Sequence, residues 1–284
     1  MSEDNKILVG IVTYNPDIKR LRECIEAIKS KIENIYVFDN NSNNIEEISL
    51  FVKDYKDRIY LHKNEVNAGV AKALSTIMDY ASDNGYRWVL SLDQDSVIQS
   101  NIISLYKNAA KRLPKAGMIT CLIKDRNINA DMNRDINERQ DIPIVKVPCC
   151  ITSGSLTNVY AYKQTSGYDE SFFIDSVDFD LCFSLREKGF RIYRINKIGL
   201  LHEVGHGEIK RFLWKKIIVF NEKPERIYYI SRNKIKLYKK HAEYSLPNLI
   251  YRETEGLLKI CFENERLKKL KMFIKGIFDG IMGK

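Results

Sequence analysis

Residues 88–95 read WVLSLDQD, a strand-like run of mostly apolar residues that ends in two carboxylates. Similar short runs occur at residues 7–12, 35–38 and 59–62, and helix-like segments separate them from one another. This βαβαβαβ succession predicts an α/β fold with a mainly parallel central sheet and flanking helices. Ligands of such sheets bind outside the carboxyl ends of the strands. We therefore look for functional residues directly after each run.

The second half of the chain has a less regular pattern. Residues 124–141 are polar and rich in Asp, Asn and Arg, which predicts a mobile loop. From Glu208 onwards the chain is expected to be largely helical. Further helices are expected near residues 102–113, 155–165 and 177–188, and further strands near residues 118–123, 145–147, 191–194 and 199–202.

The bulk composition is that of a soluble globular protein, with 44% hydrophobic and 29% charged residues. No run of 18 apolar residues occurs, so no membrane-spanning helix is expected. The N-terminus lacks the features of a secretory signal, and the six cysteines form no Cys-x-x-Cys pair. Reduced thiols and a cytoplasmic location are expected, and a structural zinc site is not.

The C-terminal quarter is basic. Residues 210–284 carry 19 Lys and Arg against 8 Asp and Glu, whereas the preceding 209 residues carry 27 against 29. This asymmetry favours an anionic partner, such as a membrane surface, a lipid-phosphate acceptor or nucleic acid. Apolar residues near the C-terminus fall on one face of a predicted helix, with four lysines around them. The apolar residues are Leu267, Leu270, Ile274, Ile277, Phe278 and Ile281, and the lysines are Lys268, Lys269, Lys271 and Lys275. This helical stripe suits either internal packing or an interfacial membrane helix.

The carboxylates Asp93 and Asp95 stand one residue apart at the end of a predicted buried strand. Two carboxylates this close repel each other unless a cation lies near them. Oxygen ligands suit Mn²⁺ or Mg²⁺, which complete their coordination with substrate phosphate and water. The alternative is that both residues merely begin a turn. The loop histidines His202 and His206 follow another strand, and His202 is a candidate to complete the metal site.

Polar residues also follow the first two strands. Asp39 can accept the imide N–H of uracil or thymine, and Thr13 and Asn15 can approach the base or ribose from the neighbouring strand end. Turn formation is the alternative for Asp39. Asn67 is expected to cap the helix that follows it, and Lys72, one turn later, can reach a phosphate.

Two later segments supply further candidates. Residues 175–180 place three acids at a predicted helix start, where the helix dipole favours them and where one can act as a general base. Residues 226–233 are basic and aromatic, and an arginine there, such as Arg232, can bind pyrophosphate or an anionic acceptor. No signature of a nucleic-acid-binding fold is present, so binding of nucleic acid is not expected.

Taken in order, these motifs resemble the inverting glycosyltransferases of family two, which have the GT-A fold. The motifs that carry the resemblance extend over about residues 7–235 and comprise residues 12–15, 38–42, 67–69, 92–96, 153–154, 167–173, 177–182 and 188–190, His202, and Tyr229-x-x-Arg232-Asn233. The resemblance implies a catalytic GT-A domain over residues 1–235. Residues 236–284 are then a basic helical extension packed on that domain or on a membrane surface.

The combination of Asn15-Pro16-Asp17 with residues 92–96 looks most like the bacterial rhamnosyltransferases of this family. That resemblance implies transfer of L-rhamnose from dTDP-L-rhamnose, with inversion, to a cell-surface polysaccharide or a lipid-linked oligosaccharide at the inner membrane face. It assigns the general base to Asp178. The family often has Glu before this Asp, whereas Val177 stands here.

Other functions remain open from the residues. Asp39 suits uracil as well as thymine, so UDP-galactose and UDP-glucose are alternative donors. A sugar-nucleotide pyrophosphorylase would need a glycine-rich loop after the first strand, where this chain has Thr13-Tyr14-Asn15-Pro16. A sugar-nucleotide-binding protein without transfer activity is a third alternative.

Overall fold

The computed structural model describes residues 6–55, 58–99, 101–126, 144–202, 207–212 and 215–284. From residue 127 onwards, the predicted mobile loop lies outside the described residues, and so does His206.

The N-terminal half has the predicted alternation of strands and helices. Four parallel strands lie in the order β3-β2-β1-β4, and the register of β1 on β2 pairs Thr13 with Asp39. Because Val12 pairs with Asp93 on the other side, the carboxyl ends of β1, β2 and β4 meet at one edge of the sheet. The elements are β1 (Ile7–Thr13), α1 (Ile18–Ile28), β2 (Asn34–Asp39), α2 (Ile45–Lys53), β3 (Ile59–Lys63), α3 (Gly69–Asp83) and β4 (Trp88–Asp93).

The sheet continues with strands of both directions. The elements are β5 (Val97–Ile98), α4 (Ile102–Arg112), β6 (Ala116–Asp125), β7 (Ile144–Val147), β8 (Ser155–Asn158), α5 (Val159–Lys163), α6 (Val177–Glu187) and β9 (Arg191–His202). Strand β8 lies antiparallel between β4 and β6, and β6 is parallel to β9. The carboxyl end of β9, at His202, therefore lies at the same edge as that of β4. The mainly parallel sheet is confirmed.

Two predictions about secondary structure are wrong in part. Residues 155–165 were expected to form one helix, but residues 155–158 are a strand whose side chains from Ser155 to Thr157 are buried between β4 and β6. The chain after Glu208 was expected to be largely helical, yet it begins with the antiparallel strands β10 (Glu208–Phe212) and β11 (Lys215–Val219). In both places pairing with a neighbouring strand outweighs local propensity.

Three helices complete the chain: α7 (Pro224–Lys240), α8 (Leu246–Ile260) and α9 (Arg266–Met282). Helix α7 runs without a break through the domain boundary expected between residues 235 and 236. Helix α9 approaches α7 closely at Gly276, where a Cβ would overlap the Ser231 hydroxyl and the Tyr228 carbonyl oxygen. The C-terminal helices therefore pack on the rest of the protein through α7.

The hydrophobic core lies on both faces of the sheet. One cluster packs α1, α2 and α4 against one face, and the other packs α3, α5 and α6 against the opposite face. No helix among the described residues is long and apolar enough to cross a membrane.

Candidate active site

Two carboxylates and one imidazole converge at the carboxyl ends of β4 and β9. Ligand atoms of Asp93, Asp95 and His202 all lie within 4.8 Å of one another. His202 Nε2 is 3.7 Å from Asp93 Oδ2, and His202 Nδ1 is 3.6 Å from Asp95 Oδ1. The structure thus brings together the three residues predicted from the sequence to hold a metal ion.

A chain of hydroxyl groups orients this cluster. The Ser96 hydroxyl lies 2.9 Å from His202 Nδ1 and 2.8 Å from the Ser153 hydroxyl, and both serines are buried. The Asp93 backbone N–H donates to Ser153 Oγ at 3.1 Å. Partners of this kind fix the ring orientation of a metal-binding histidine.

The electrostatics of the cluster fit a bound cation. Burial raises the pKa of Asp93, and the neighbouring Asp95 raises it further against the opposing effect of His202. Asp95 Oδ1 is buried and has no hydrogen-bond partner among the described residues. An acceptor in that position is costly unless a cation or a donor satisfies it. The two carboxylates offer oxygen ligands of the kind that Mn²⁺ and Mg²⁺ take, and His202 offers a nitrogen ligand.

The residue between the two carboxylates links this turn to β1. Gln94 Oε1 accepts from the Tyr14 backbone N–H at 2.8 Å, and Gln94 Nε2 donates to the Tyr14 carbonyl at 3.4 Å. The metal-binding turn and the predicted base-binding loop therefore form one connected surface.

The predicted base-binding residues lie together at the ends of β1 and β2. Asp39 is buried, and its Oδ1 accepts from Thr13 Oγ1 at 3.0 Å and from Ser42 Oγ at 2.5 Å. Asn15, with φ +47°, accepts from the Asn43 backbone N–H, and its own N–H donates to Ser42 Oγ. These bonds make a rigid rim around Asp39. The side-chain oxygen of Asn15 is part of that rim, because it accepts the hydrogen bond from the Asn43 N–H.

The start of α3 differs in detail from the sequence expectation. The N-cap residue is Ala68, and Asn67 precedes it, with its Oδ1 accepting from the Gly69 N–H at 3.0 Å. The expectation that Asn67 is the N-cap is therefore wrong by one position. Lys72 donates to Glu170 Oε1 at 3.1 Å. Contact of Asn67 and Lys72 with a nucleotide stays a prediction.

Asp178 lies in the first turn of α6 and is half-buried. Burial raises its pKa to about 7, and the charges of Asp175 and Asp93 contribute, while the backbone N–H of Phe179 opposes the shift. A carboxyl group with this pKa near neutral pH is suited to proton transfer.

The two arginines of α7 have different surroundings. Arg232 is buried, and its Nη2 donates to the carbonyl oxygens of Ser171 and Phe172 at 2.7 and 3.2 Å. Its contact with pyrophosphate stays a prediction, because the structure directs this guanidinium to the protein backbone. Arg226 instead forms ion pairs with Asp175 and Glu222, and its charge is a minor influence that lowers the pKa of Asp93.

Sequence reasoning assigned no role to several residues that build the site. Ser96 and Ser153 stand inside motifs that were noted, but only the tertiary structure shows their contact with His202. Asn233 follows the noted Arg232 and is buried against the loop before α6. The sequence around these residues gives no sign of their contacts, which depend on the tertiary structure.

The buried Asp39 and the candidate metal-binding cluster of Asp93, Asp95 and His202, at the ends of neighbouring strands, fit a nucleotide-sugar transferase. The model of glycosyl transferase family 2 matches residues 8–178, which is more than half of the chain, and the chain belongs to that family. It is 26% identical to the dTDP-rhamnosyl transferase RfbF of Shigella flexneri over 297 residues, covering 99% of this chain and 97% of that protein. The chain is therefore a glycosyltransferase, similar to a bacterial rhamnosyltransferase.

Solved structures show the same GT-A fold. A mannosyltransferase of Pyrobaculum calidifontis, in complex with GDP-Man and Mn²⁺, has a TM-score of 0.61 at 12% identity, covering 98% of this chain and 88% of that one. S. aureus TarS 1–349 in complex with UDP-GlcNAc has a TM-score of 0.56 at 12% identity, covering 98% and 92%. GalNAc-T7 with UDP, GalNAc and Mn²⁺ reaches 0.61 at 13%, and the match spans 83% of this chain and about half (48%) of that enzyme.

Proposed function

We propose that this protein transfers L-rhamnose from dTDP-L-rhamnose to a saccharide acceptor with inversion at the anomeric carbon. The observation that carries the proposal is the half-buried Asp178 in the first turn of α6, where burial raises the pKa of its carboxyl group to about 7. Similarity to a dTDP-rhamnosyl transferase over nearly the whole chain supports the choice of donor. UDP-galactose and UDP-glucose are the alternative donors.

In this proposal Asp178 is the general base. Its carboxylate accepts the proton of the acceptor hydroxyl as that oxygen attacks the anomeric carbon, and the diphosphate leaves from the opposite side. Asp93, Asp95 and His202 would hold a divalent cation, which would neutralise negative charge on the departing diphosphate. Asp39 and Thr13 bind the imide edge of the base.

The test of the base is the substitution Asp178→Asn, which keeps the shape of the side chain and removes its basicity. We expect transfer to be lost while calorimetry shows dTDP binding with Mn²⁺ unchanged, because the base does not contact the nucleotide. Near-wild-type turnover would refute the role of Asp178. Loss of nucleotide binding together with activity would show instead that Asp178 belongs to the donor pocket.

We also propose that the acceptor is lipid-linked and that α9 lies on an anionic membrane surface. The predicted stripe divides in the structure: Leu270 and Ile277 pack inwards, and Lys269 is buried against Glu263. The outward face retains four large apolar side chains, each more than half exposed, and three exposed lysines on the same helix: Leu267, Ile274, Phe278 and Ile281, with Lys268, Lys271 and Lys275. Apolar side chains beside lysines are typical of interfacial helices.

Deletion of α9 would disturb α7, so substitutions on its exposed face make the better test. We expect Ile274→Ser combined with Phe278→Ser to abolish co-sedimentation with phosphatidylglycerol vesicles and to leave thermal stability unchanged. Wild-type protein should not bind phosphatidylcholine vesicles, because the lysines need anionic headgroups. Equal binding of the variant and the wild type to anionic vesicles would refute this surface.

A further inference from the structure

The loop that leads into α6 has an unusual backbone. Phe173, Asp175 and Ser176 have φ values of +64°, +62° and +64°, and none of them is glycine. Residues 172–174 form a tight turn in which the Ile174 N–H donates to the Phe172 carbonyl at 2.8 Å. Each such conformation costs about 1–3 kcal/mol and persists only where the surroundings enforce it. Asp178 follows this loop, so whatever holds the loop also places Asp178.

Helix α7 supplies the restraint. The side-chain amide of Asn233 is fully buried and donates to three carbonyl oxygens of the loop, those of Phe172, Ile174 and Asp175, at 2.9, 2.6 and 2.9 Å. Its own Oδ1 accepts from Arg232 Nε at 3.0 Å. Arg232 also donates to the carbonyl groups of Ser171 and Phe172. Two adjacent side chains of α7 therefore bind four carbonyl groups, those of residues 171, 172, 174 and 175.

Two further contacts restrain the loop, one at Asp175 and one at the carbonyl group of Phe173. Arg226, two turns earlier on α7, forms a bidentate ion pair with Asp175 at 3.1 and 3.2 Å. The Phe173 carbonyl oxygen accepts from the Ala71 N–H at 3.2 Å at the start of α3. A Cβ on Gly69 would lie 2.5 Å from that oxygen, so α3 can approach only with glycine there.

We propose that Asn233 is a positioning residue, which holds the strained loop of residues 173–176 and thereby sets the position of Asp178 for proton transfer. The proposal rests on the proposed function of Asp178. It gives Asn233 a role in the geometry of proton transfer, separate from donor binding. The two hydrogens of Asn233 Nδ2 are shared among the three carbonyl oxygens, so one side chain restrains the loop from Phe172 to Asp175.

The test compares Asn233→Ala with Ser231→Ala. Ser231 is equally buried on the same helix, but its hydroxyl donates towards Ile227 and Phe273, away from the loop. We expect Asn233→Ala to lower kcat about tenfold to a hundredfold, with KM for the donor changed less than about threefold, because misplacement of a catalytic group affects the chemical step. Ser231→Ala should retain kcat and the pH profile of the wild type.

Two results would overturn the proposal. One is a kcat of Asn233→Ala within about twofold of wild type with an unchanged pH profile. The other is a loss of activity in both variants in proportion to their fall in Tm, which would show a structural role alone. If Asn233→Ala does not fold, Arg226→Gln is the second variant, because it removes the ion pair to Asp175 from a partly exposed position. The same fall in kcat is expected in Arg226→Gln. An unchanged kcat in that variant would also count against the loop restraint.

A readout without substrate separates this proposal from the assignment of Asp178. Carbon-13 NMR of the Asp178 carboxyl group should show titration near pH 7 in the wild type and closer to that of an ordinary carboxyl group in Asn233→Ala. This shift tests the loop restraint even in a protein that transfers no sugar. Identical titration in both proteins would refute the restraint, whereas absence of transfer by the wild type would refute the proposed function alone.

Discussion

Substitution of the proposed base should make the protein inactive and more stable. Asp178 has a folded-state pKa of about 7 against an ordinary value of 3.8, so folding disfavours its ionised form. The wild-type protein therefore loses stability as the pH rises from about 4 to about 7, and the loss is complete above that range. Asparagine carries no charge at any pH and can keep the hydrogen bond from the Phe179 N–H to Oδ1.

The magnitude follows from the two pKa values. At about 1.4 kcal/mol per tenfold change, the cost at pH 8 is about 4 kcal/mol for a fully buried group, and about half of that for the half-buried Asp178. At pH 5 the cost falls to less than half of its value at pH 8. With about 2–4 °C per kcal/mol, the Tm of Asp178→Asn should exceed that of the wild type by about 4–8 °C at pH 8.

Differential scanning fluorimetry of both proteins in EDTA, at pH 5 and pH 8, measures this difference. The expected result is a gain in Tm at pH 8 that shrinks at pH 5, together with loss of transfer. A Tm difference that is zero, or equal at both pH values, would refute the claim that desolvation of Asp178 tunes the base.

Three further predictions concern the metal site, the helix packing and a buried histidine. Asp95→Ala should weaken donor binding at least about tenfold with Mn²⁺ and leave it unchanged in EDTA, and equal calorimetric affinities with Mn²⁺ would contradict the metal role. Gly276→Ala should lower the free energy of unfolding by about 1–3 kcal/mol, because the added Cβ overlaps α7. Gly256→Ala is the control, because a Cβ at that position makes only ordinary contacts. Equal Tm values for the two variants would refute the close packing of the helices. Burial alone would lower the pKa of His241, but the hydrogen bonds that the charged imidazole donates to Asp180 and Glu187 outweigh burial and raise the pKa above 6.5. The stabilisation from the charged imidazole is therefore full below pH 6.5 and is lost as the pH rises through the raised pKa. His241→Asn should be less stable than the wild type at pH 6 and closer to it in stability at pH 9. A difference in Tm between the two proteins that is constant with pH would contradict this.

The sequence predicted the part of the fold in which local pattern and tertiary structure agree. Each apolar run from Ile7 to Asp93 became a parallel strand, and β1, β2 and β4 have continuous apolar sequences because they are buried on both faces of the sheet. The short strand Ser155–Asn158 escaped prediction, because its small polar side chains are buried only through pairing with β4 and β6. The local sequence pattern also did not predict the two strands of residues 208–219, because each strand is formed by pairing with the other.

The candidate site shows the same division. Asp93, Asp95 and His202 could be predicted because each ends a strand at the same edge of the sheet. The role of Arg232 could not, since the sequence shows its charge but not the backbone carbonyl groups that it meets. Asn233 gave no sequence signal of its function, because the conformation that it restrains is a property of a loop about 60 residues away along the chain.

The most direct test of the account is a comparison of three sugar nucleotides as donors. Purified protein is incubated with dTDP-L-rhamnose, UDP-galactose or UDP-glucose, each with Mn²⁺ and with EDTA, and release of the nucleoside diphosphate is measured. The account predicts release from dTDP-L-rhamnose that requires the metal ion and is lost in Asp95→Ala. Release that is faster from a UDP-sugar, or that persists in EDTA, would contradict it.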